Sequence, residues 1–191
     1  MGSSESVLKK YIDSGAGIDR LRELLKNESV DKRYELLMNV RGGVDGTWTG
    51  VYCGAYASDL QIIMCMLEGF SSNQKYDAVK RQSSGEWTVL HIAAGRGCTS
   101  IINYLLSNLS QQQKYNLLKL QDIYGDTALH RAAYYEEVET VQAIISSVLS
   151  PLLIQLLNIK NKKAQTVTYI RPELHDELSA LANKSRSTKL H

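Results

Sequence analysis

The stretch Gly125-Asp126-Thr127-Ala128-Leu129-His130-Arg131-Ala132-Ala133 decides the fold, because text of the same kind recurs on both sides of it. Working outward, threonines stand at Thr49, Thr88, Thr127 and Thr166, separated by one unvarying interval. The segments they open read Thr49-Gly50-Val51-Tyr52-Cys53-Gly54-Ala55, Thr88-Val89-Leu90-His91-Ile92-Ala93-Ala94, Thr127 to Ala133, and Thr166-Val167-Thr168-Tyr169-Ile170. A fixed period of this kind marks a chain that repeats one supersecondary unit, each copy burying its apolar face on its neighbours.

The rest of each unit aligns as well. Behind the threonine segments run Ile62, Ile63, Met66 and Leu67, then Ile101, Ile102, Leu105 and Leu106, then Val141, Ile144 and Ile145. Apolar pairs recurring after four residues make the wide stripe of a helix packed on both sides. The alanines Ala93, Ala94, Ala132 and Ala133 let the first helices approach closely. A third segment follows in each unit, with Tyr76, Tyr115 and Ile154 spaced by the same interval as the threonines. Ser71 with Gln74 and Ser110 with Gln113 form S-x-x-Q capping boxes, while Ser150-Pro151 reads as an N-cap followed by proline at the first helical position. A short third helix is expected there, covering the apolar edge left by the second.

The phrase Thr127-Ala128-Leu129-His130-Arg131-Ala132 resembles the ankyrin-repeat signature T-P-L-H-x-A. The resemblance implies an all-α, ankyrin-type α-solenoid of stacked helix-turn-helix repeats joined by short hairpin-like loops. An extra third helix per repeat is expected, because the period of roughly 39 residues exceeds the ~33 residues of the common unit. The resemblance covers residues 46 to 170 directly. The expected organisation is a single solenoid: an N-terminal capping repeat at 1–45, repeats at 46–84, 85–123 and 124–162, and a C-terminal cap and tail at 163–191. Gly50, Val89, Ala128 and Val167 replace the signature proline, and Gly85 stands one residue ahead of the usual glycine.

The ends fit by periodicity. Leu24, Leu25 and Tyr34 precede Met66, Leu67 and Tyr76 by a common, slightly longer shift, so helices are expected near 4–13, 18–26 and 31–39, with the surplus in a glycine-rich first hairpin at Arg41 to Gly46. Pro172 replaces the second alanine, so the first helix of a fourth unit is expected not to begin as the others do. Leu174, Leu178 and Leu181 define one face of a terminal cap helix, followed by a basic tail with Arg186 and Lys189.

Composition narrows the function. Lys plus Arg (22) nearly balance Asp plus Glu (20), and the net charge of +2 gives no drive toward nucleic acid or membrane. No run approaches the length of a membrane span. Cys53, Cys65 and Cys98 lack C-x-x-C spacing and point to reduced thiols in the cytoplasm or nucleus. Cys65 reads as a core residue, Cys53 and Cys98 as nearer the surface. The start Met1-Gly2-Ser3-Ser4-Glu5-Ser6 fits a myristoylation pattern literally, but its small polar residues read better as an unstructured terminus, since one acyl chain anchors weakly and only Lys9 and Lys10 are nearby.

No enzyme signature is present: neither a phosphate-binding glycine loop nor H-E-x-x-H nor G-x-S-x-G occurs. No cofactor or metal is implied. His91 and His130 fall on the signature histidine, with Tyr52 and Tyr169 in the matching positions, which argues against metal ligation. The resemblance assigns these histidines to hydrogen bonds with the adjoining hairpin, and Thr88 and Thr127 to the turn into the helix. His175 adjoins Asp176 on the cap, and His191 is terminal.

What the resemblance leaves for function is a partner-binding face on hairpin tips and first helices, contacting another protein. Its contact positions fall on Trp48, Trp87, Asp126 and Gln165, on Cys53, Ile92 and Arg131, and on Tyr56, Ala57, Gly95, Arg96, Tyr134 and Tyr135, with Tyr124 near the third tip. Both tryptophans of the chain occupy the same position in successive units. Either they meet a partner, as interface aromatics do, or they pack on the next hairpin. The face suits an apolar or mildly acidic segment. The alternative function is a structural spacer or self-association array without a dedicated groove.

Overall fold

A computed structural model describes residues 4–15, 18–43 and 45–172. The expected cap helix at Leu174, Leu178 and Leu181, the pair His175 and Asp176, the tail through Arg186 and Lys189 to His191, and the start at Gly2 lie outside the described residues.

The described residues form helices that arrive in triplets. The first triplet is α1 (Ser4–Ser14), α2 (Ile18–Asn27) and α3 (Val30–Asn39), followed by α4 (Gly50–Tyr56), α5 (Leu60–Leu67) and α6 (Ser72–Val79). Next come α7 (Val89–Gly95), α8 (Thr99–Leu106) and α9 (Gln111–Leu118), then α10 (Ala128–Tyr134), α11 (Val138–Ser146) and α12 (Ser150–Leu157), and last α13 (Val167–Ile170). First helices stack on first helices along α1, α4, α7, α10 and α13, second on second along α2, α5, α8 and α11, and third on third.

Each first helix starts where its threonine places it. Thr49, Thr88, Thr127 and Thr166 are extended N-cap residues whose hydroxyls accept the N–H of Tyr52, His91, His130 and Tyr169. These helices are short, and α4, α7 and α10 are almost wholly buried, so small residues set their spacing. Ala93, Ala94, Ala132 and Ala133 have essentially no exposure. At Gly54, which stands in the first-alanine column, an added Cβ would lie 2.7 Å from Ile63 Cγ1. The α4–α5 pair has closed into the space a methyl group fills elsewhere.

The third helices do more than cover an apolar edge: each reaches the carboxyl end of the second helix in the following triplet. Arg33 of α3 is buried and donates to Cys65 O at 2.9 Å and Glu68 O at 2.6 Å. Lys75 of α6 donates to the carbonyl oxygens of Tyr104 and Ser107 and to Ser107 Oγ at the end of α8. Gln111 of α9 donates to Ser147 O beyond α11. A cation over the unpaired carbonyls of a helix end satisfies hydrogen bonds and opposes the dipole together. Burial pulls the Lys75 ammonium down to about 8, while its three oxygen acceptors keep it charged at neutral pH.

Several expectations need correction. Ser150 is not the N-cap of α12; the cap is Leu149, which stands one full period after the cap Ser110, and Ser150 is already helical. Leu149 has no capping side chain, and no glutamine stands at its third helical position. Its N–H goes to Gln111 Oε1 of α9 at 2.8 Å instead. Backbone register outlasted the residue type that marks it. Likewise Pro172 does not stop the fourth first helix from beginning, since Thr166 caps α13 as usual and α13 packs on α10. Proline acts on the residue before it, and Arg171, at φ −132° and ψ 86°, ends the helix after a single turn.

Two of the three cysteines also depart from expectation. Cys53 is buried, its thiol against Ile12 O at 3.6 Å, and burial raises its pKa to about 12. Cys65, expected in the core, is half-buried, as is Cys98, which meets Ser58 Oγ at 3.1 Å. Cys53 lies against α1, which the capping triplet contributes.

Finally, the left-handed hairpin position recurs at the repeat interval through Glu86, Gly125 and Ala164, all at φ near +60° to +76°. Gly85 is therefore not the turn glycine of its unit.

Candidate functional site

Between triplets the chain makes a tight turn, and the turns are tied to one another. Ser83, Asp122 and Asn161 close successive hairpins by pairing their N–H with Trp87 O, Asp126 O and Gln165 O at 2.9, 2.9 and 3.0 Å. Asp122 Oδ1 accepts from Tyr124 N and Asp126 N, and Asn161 Oδ1 from Lys163 N and Gln165 N, the local bonds by which Asx side chains hold turns. Neighbouring hairpins share one rung each, Ile123 N to Gly85 O at 3.1 Å and Lys162 N to Tyr124 O at 3.0 Å. At the first joint, where the loop is longer, side chains replace the rung: Ser84 N donates to Thr47 Oγ1, and Ser84 Oγ to Asp45.

The buried histidines run the same way. Thr88 N donates to His91 Nδ1 at 3.1 Å, so the ring proton resides on Nε2 and is donated to Asp126 O at 3.0 Å in the next hairpin. His130 repeats this with Thr127 N at 3.3 Å and Gln165 O at 3.1 Å. Burial lowers both pKa values, that of His91 to about 4, so both rings are neutral at pH 7. Tyr52, in the same column, instead meets Ser83, and burial raises its hydroxyl to about 12. These rings join units. They are closed to solvent and offer no open coordination site, and no group of three potential metal ligands occurs among the described residues.

The remaining named residues fall into two neighbouring clusters on the hairpin side. In the first, Trp48 is held by the antiparallel bridge Gly42–Trp48 and lies against Tyr52 and Tyr56, with ring centroids 5.1 and 5.7 Å away. Gly43 sits directly beneath the indole, where a Cβ would lie 2.6 Å from the ring. Arg96 is exposed and stacks over Tyr56 at 5.1 Å.

The second cluster is built on Arg131, which is only 8% exposed. Its Nε donates to Asp122 Oδ2 at 2.9 Å, its Nη2 bonds the same oxygen, and Asp126 Oδ2 lies 3.6 Å away. The guanidinium faces Trp87 at 4.2 Å and Tyr124 at 5.5 Å. Planar, delocalised and weakly hydrated, it suits this sandwich as an ammonium would not. Around it Trp87, Asp126, Tyr134 and Tyr135, with Lys162 and Lys163 of the fourth hairpin, enclose an open groove of about 460 Å³. Tyr124, Tyr134 and Tyr135 are 57, 68 and 50% exposed, whereas both tryptophans are half-buried.

Each tryptophan thus packs on neighbouring side chains and stays partly exposed, and Trp87 also lines the groove. Sequence reading missed Asp122, the buried acid that fixes Arg131, and Lys162 and Lys163. The signal for Asp122 was present, since Ser83, Asp122 and Asn161 are turn-forming residues spaced by the repeat interval.

Stacked helix triplets, threonine caps and inter-unit histidine bonds define a helical repeat protein. A family model for ankyrin repeats, three copies long, matches residues 35–152, and the chain belongs to the ankyrin-repeat family. Such repeats are generally protein-interaction modules and typically non-catalytic. Among curated proteins none matches the chain. No helix of the described residues is long and apolar enough to cross a membrane.

Proposed function

We propose that this chain is a non-catalytic scaffold that binds a partner protein through its hairpin tips and the exposed ends of its first helices. The binding residues are Trp48, Tyr56, Trp87, Arg96, Tyr124, Tyr134 and Tyr135. Asp126 and Arg131 act from beneath, holding the aromatic rings in place. Residues 1–45 and 163–191 serve as caps of the array.

One observation carries this reading: three exposed tyrosines border a groove whose floor is a guanidinium locked by a buried carboxylate. Exposed aromatic side chains held rigid lose little freedom on binding and are enriched among interface hot spots. Nothing in the fold of the array requires Tyr134 at the surface. The free cysteines support a reducing, intracellular setting.

The test is to isolate a partner with the intact chain and repeat the isolation with Tyr124→Ala, Tyr134→Ala and Tyr135→Ala combined. Loss of the partner at an unchanged melting temperature is expected. Retention of the partner by the triple variant would remove this face from consideration.

A further inference from the structure

The charges at the hairpin tips are sorted by sign, although the exposed Arg96 stands over Tyr56 in the first cluster. At the first two tips the exposed charged residues are Asp45 and Glu86, and at the third the exposed tip residues are Ile123 and Tyr124. The fourth carries Lys160, Lys162 and Lys163, all exposed. Inside the groove the apparent cation, Arg131, is already neutralised: Asp122 and Asp126 both face it, and Asp126 also accepts from Asn161 Nδ2 at 2.9 Å. The groove therefore has an aromatic centre whose one cation is outnumbered by its two carboxylates, and one basic wall, Lys162 and Lys163, neither paired with a carboxylate among the described residues.

We propose that this groove takes an extended acidic segment of the partner protein, its apolar side chain seated among Tyr124, Tyr134 and Tyr135 and its neighbouring carboxylates over Lys162 and Lys163. The proposal rests on the protein-binding reading above and adds chemistry and direction to it. The aromatic centre provides burial for one apolar residue, and the two lysines provide what Arg131 cannot, positive charge free to meet a ligand. The opposite orientation would bring the carboxylates toward Glu86 and Asp45, where like charges repel. Attraction at an exposed rim is screened over roughly 10 Å at 0.1 M salt, so it gives orientation and salt dependence more than affinity.

The probe is a displayed library of random dodecapeptides selected on the full chain. Recovered peptides are then synthesised and measured by fluorescence anisotropy at low and high salt. They are expected to combine an apolar residue with adjacent carboxylates, and to lose affinity roughly tenfold on Lys162→Glu with Lys163→Glu, less at high salt. Lys10→Glu on α1 is the control and leaves binding unchanged. Peptides that fail on Tyr134→Ala with Tyr135→Ala but are indifferent to the lysine reversal overturn the acidic segment and spare the binding face. Peptides that are neutral or basic do the same. Binding indifferent to both pairs of substitutions overturns the face and this proposal together. Both lysine side chains are exposed, so melting curves should match those of the unaltered chain.

Discussion

Arg131 on α10 and Asp122 in the preceding hairpin are bonded through Nε and Oδ2 at 2.9 Å, both in the protein interior. The pair fastens a first helix to its own hairpin, and the guanidinium then holds Trp87 of the hairpin before. One buried ion pair thus spans two units and shapes the groove.

Removing one partner leaves the other charge buried. Asp122→Ala is expected to cost about 3–5 kcal/mol in urea unfolding, since Arg131 loses its main counter-charge and the hairpin loses its Asx bonds. Arg131→Met should cost less, because Asp122 keeps two backbone donors. Combining them should cost clearly less than the sum, and strict additivity would show that the pair does not act as a unit.

The histidines make stability depend on pH. Burial holds His91 at about 4 against an unfolded value of 6.5, and lowers His130 in the same direction. Below pH 6.5 the unfolded chain therefore binds more protons than the folded one, and stability falls as pH falls toward about 4. Asp122 faces His91 and opposes the shift, while Arg131 reinforces it. The urea midpoint should level off near pH 7, before Lys75 begins to titrate, and decline below 6.5. His91→Gln with His130→Gln should lower the plateau and flatten the decline; an undiminished slope would assign it to other groups.

The left-handed hairpin position supplies opposite predictions at equivalent sites. Glu86, at φ 59°, carries a Cβ where the left-handed region disfavours one. Glu86→Gly should stabilise by a few tenths to about 1 kcal/mol, the strain relieved less the entropy glycine loses on folding. Gly125 has the same conformation, and a Cβ there would lie 2.7 Å from Lys162 N, in the rung to the fourth hairpin. Gly125→Ala should cost at least ~2 kcal/mol and expose Lys162 N to rapid hydrogen exchange.

The repeat was legible because packing and capping impose a strict period. Thr49, Thr88, Thr127 and Thr166, the alanine pairs and the apolar columns each do one job in every unit, so the text repeats. Even the first three helices could be placed from a shift in Leu24, Leu25 and Tyr34. The face was less legible because its positions are those that the repeat leaves unconstrained. Arg131 sits in a contact column yet turns inward, because Asp122, in the hairpin just before its helix, lies beside it in space. Lys162 and Lys163 approach the groove only through the stacking of hairpins. Side-chain direction at such places is set by partners outside the unit, which no single-unit pattern encodes.

Lys75 and Lys114 occupy the same column, and the fold treats them differently. Lys75 is buried over the carboxyl end of α8, while Lys114 is half-buried and makes no bond of that kind among the described residues. The reason lies one unit on: α11 runs to Ser146, one residue longer than α8, and its terminal carbonyl at Ser147 is met by Gln111 instead. Lys75→Met should therefore cost about 2 kcal/mol, the range for hydrogen bonds from a charged donor, and lower the melting temperature by roughly 4–8 °C. Lys114→Met should stay within about 0.5 kcal/mol of the parent. Equal losses at the two sites would mean that the lysines contribute through their aliphatic stems alone, and that the carboxyl end of α8 is satisfied by solvent.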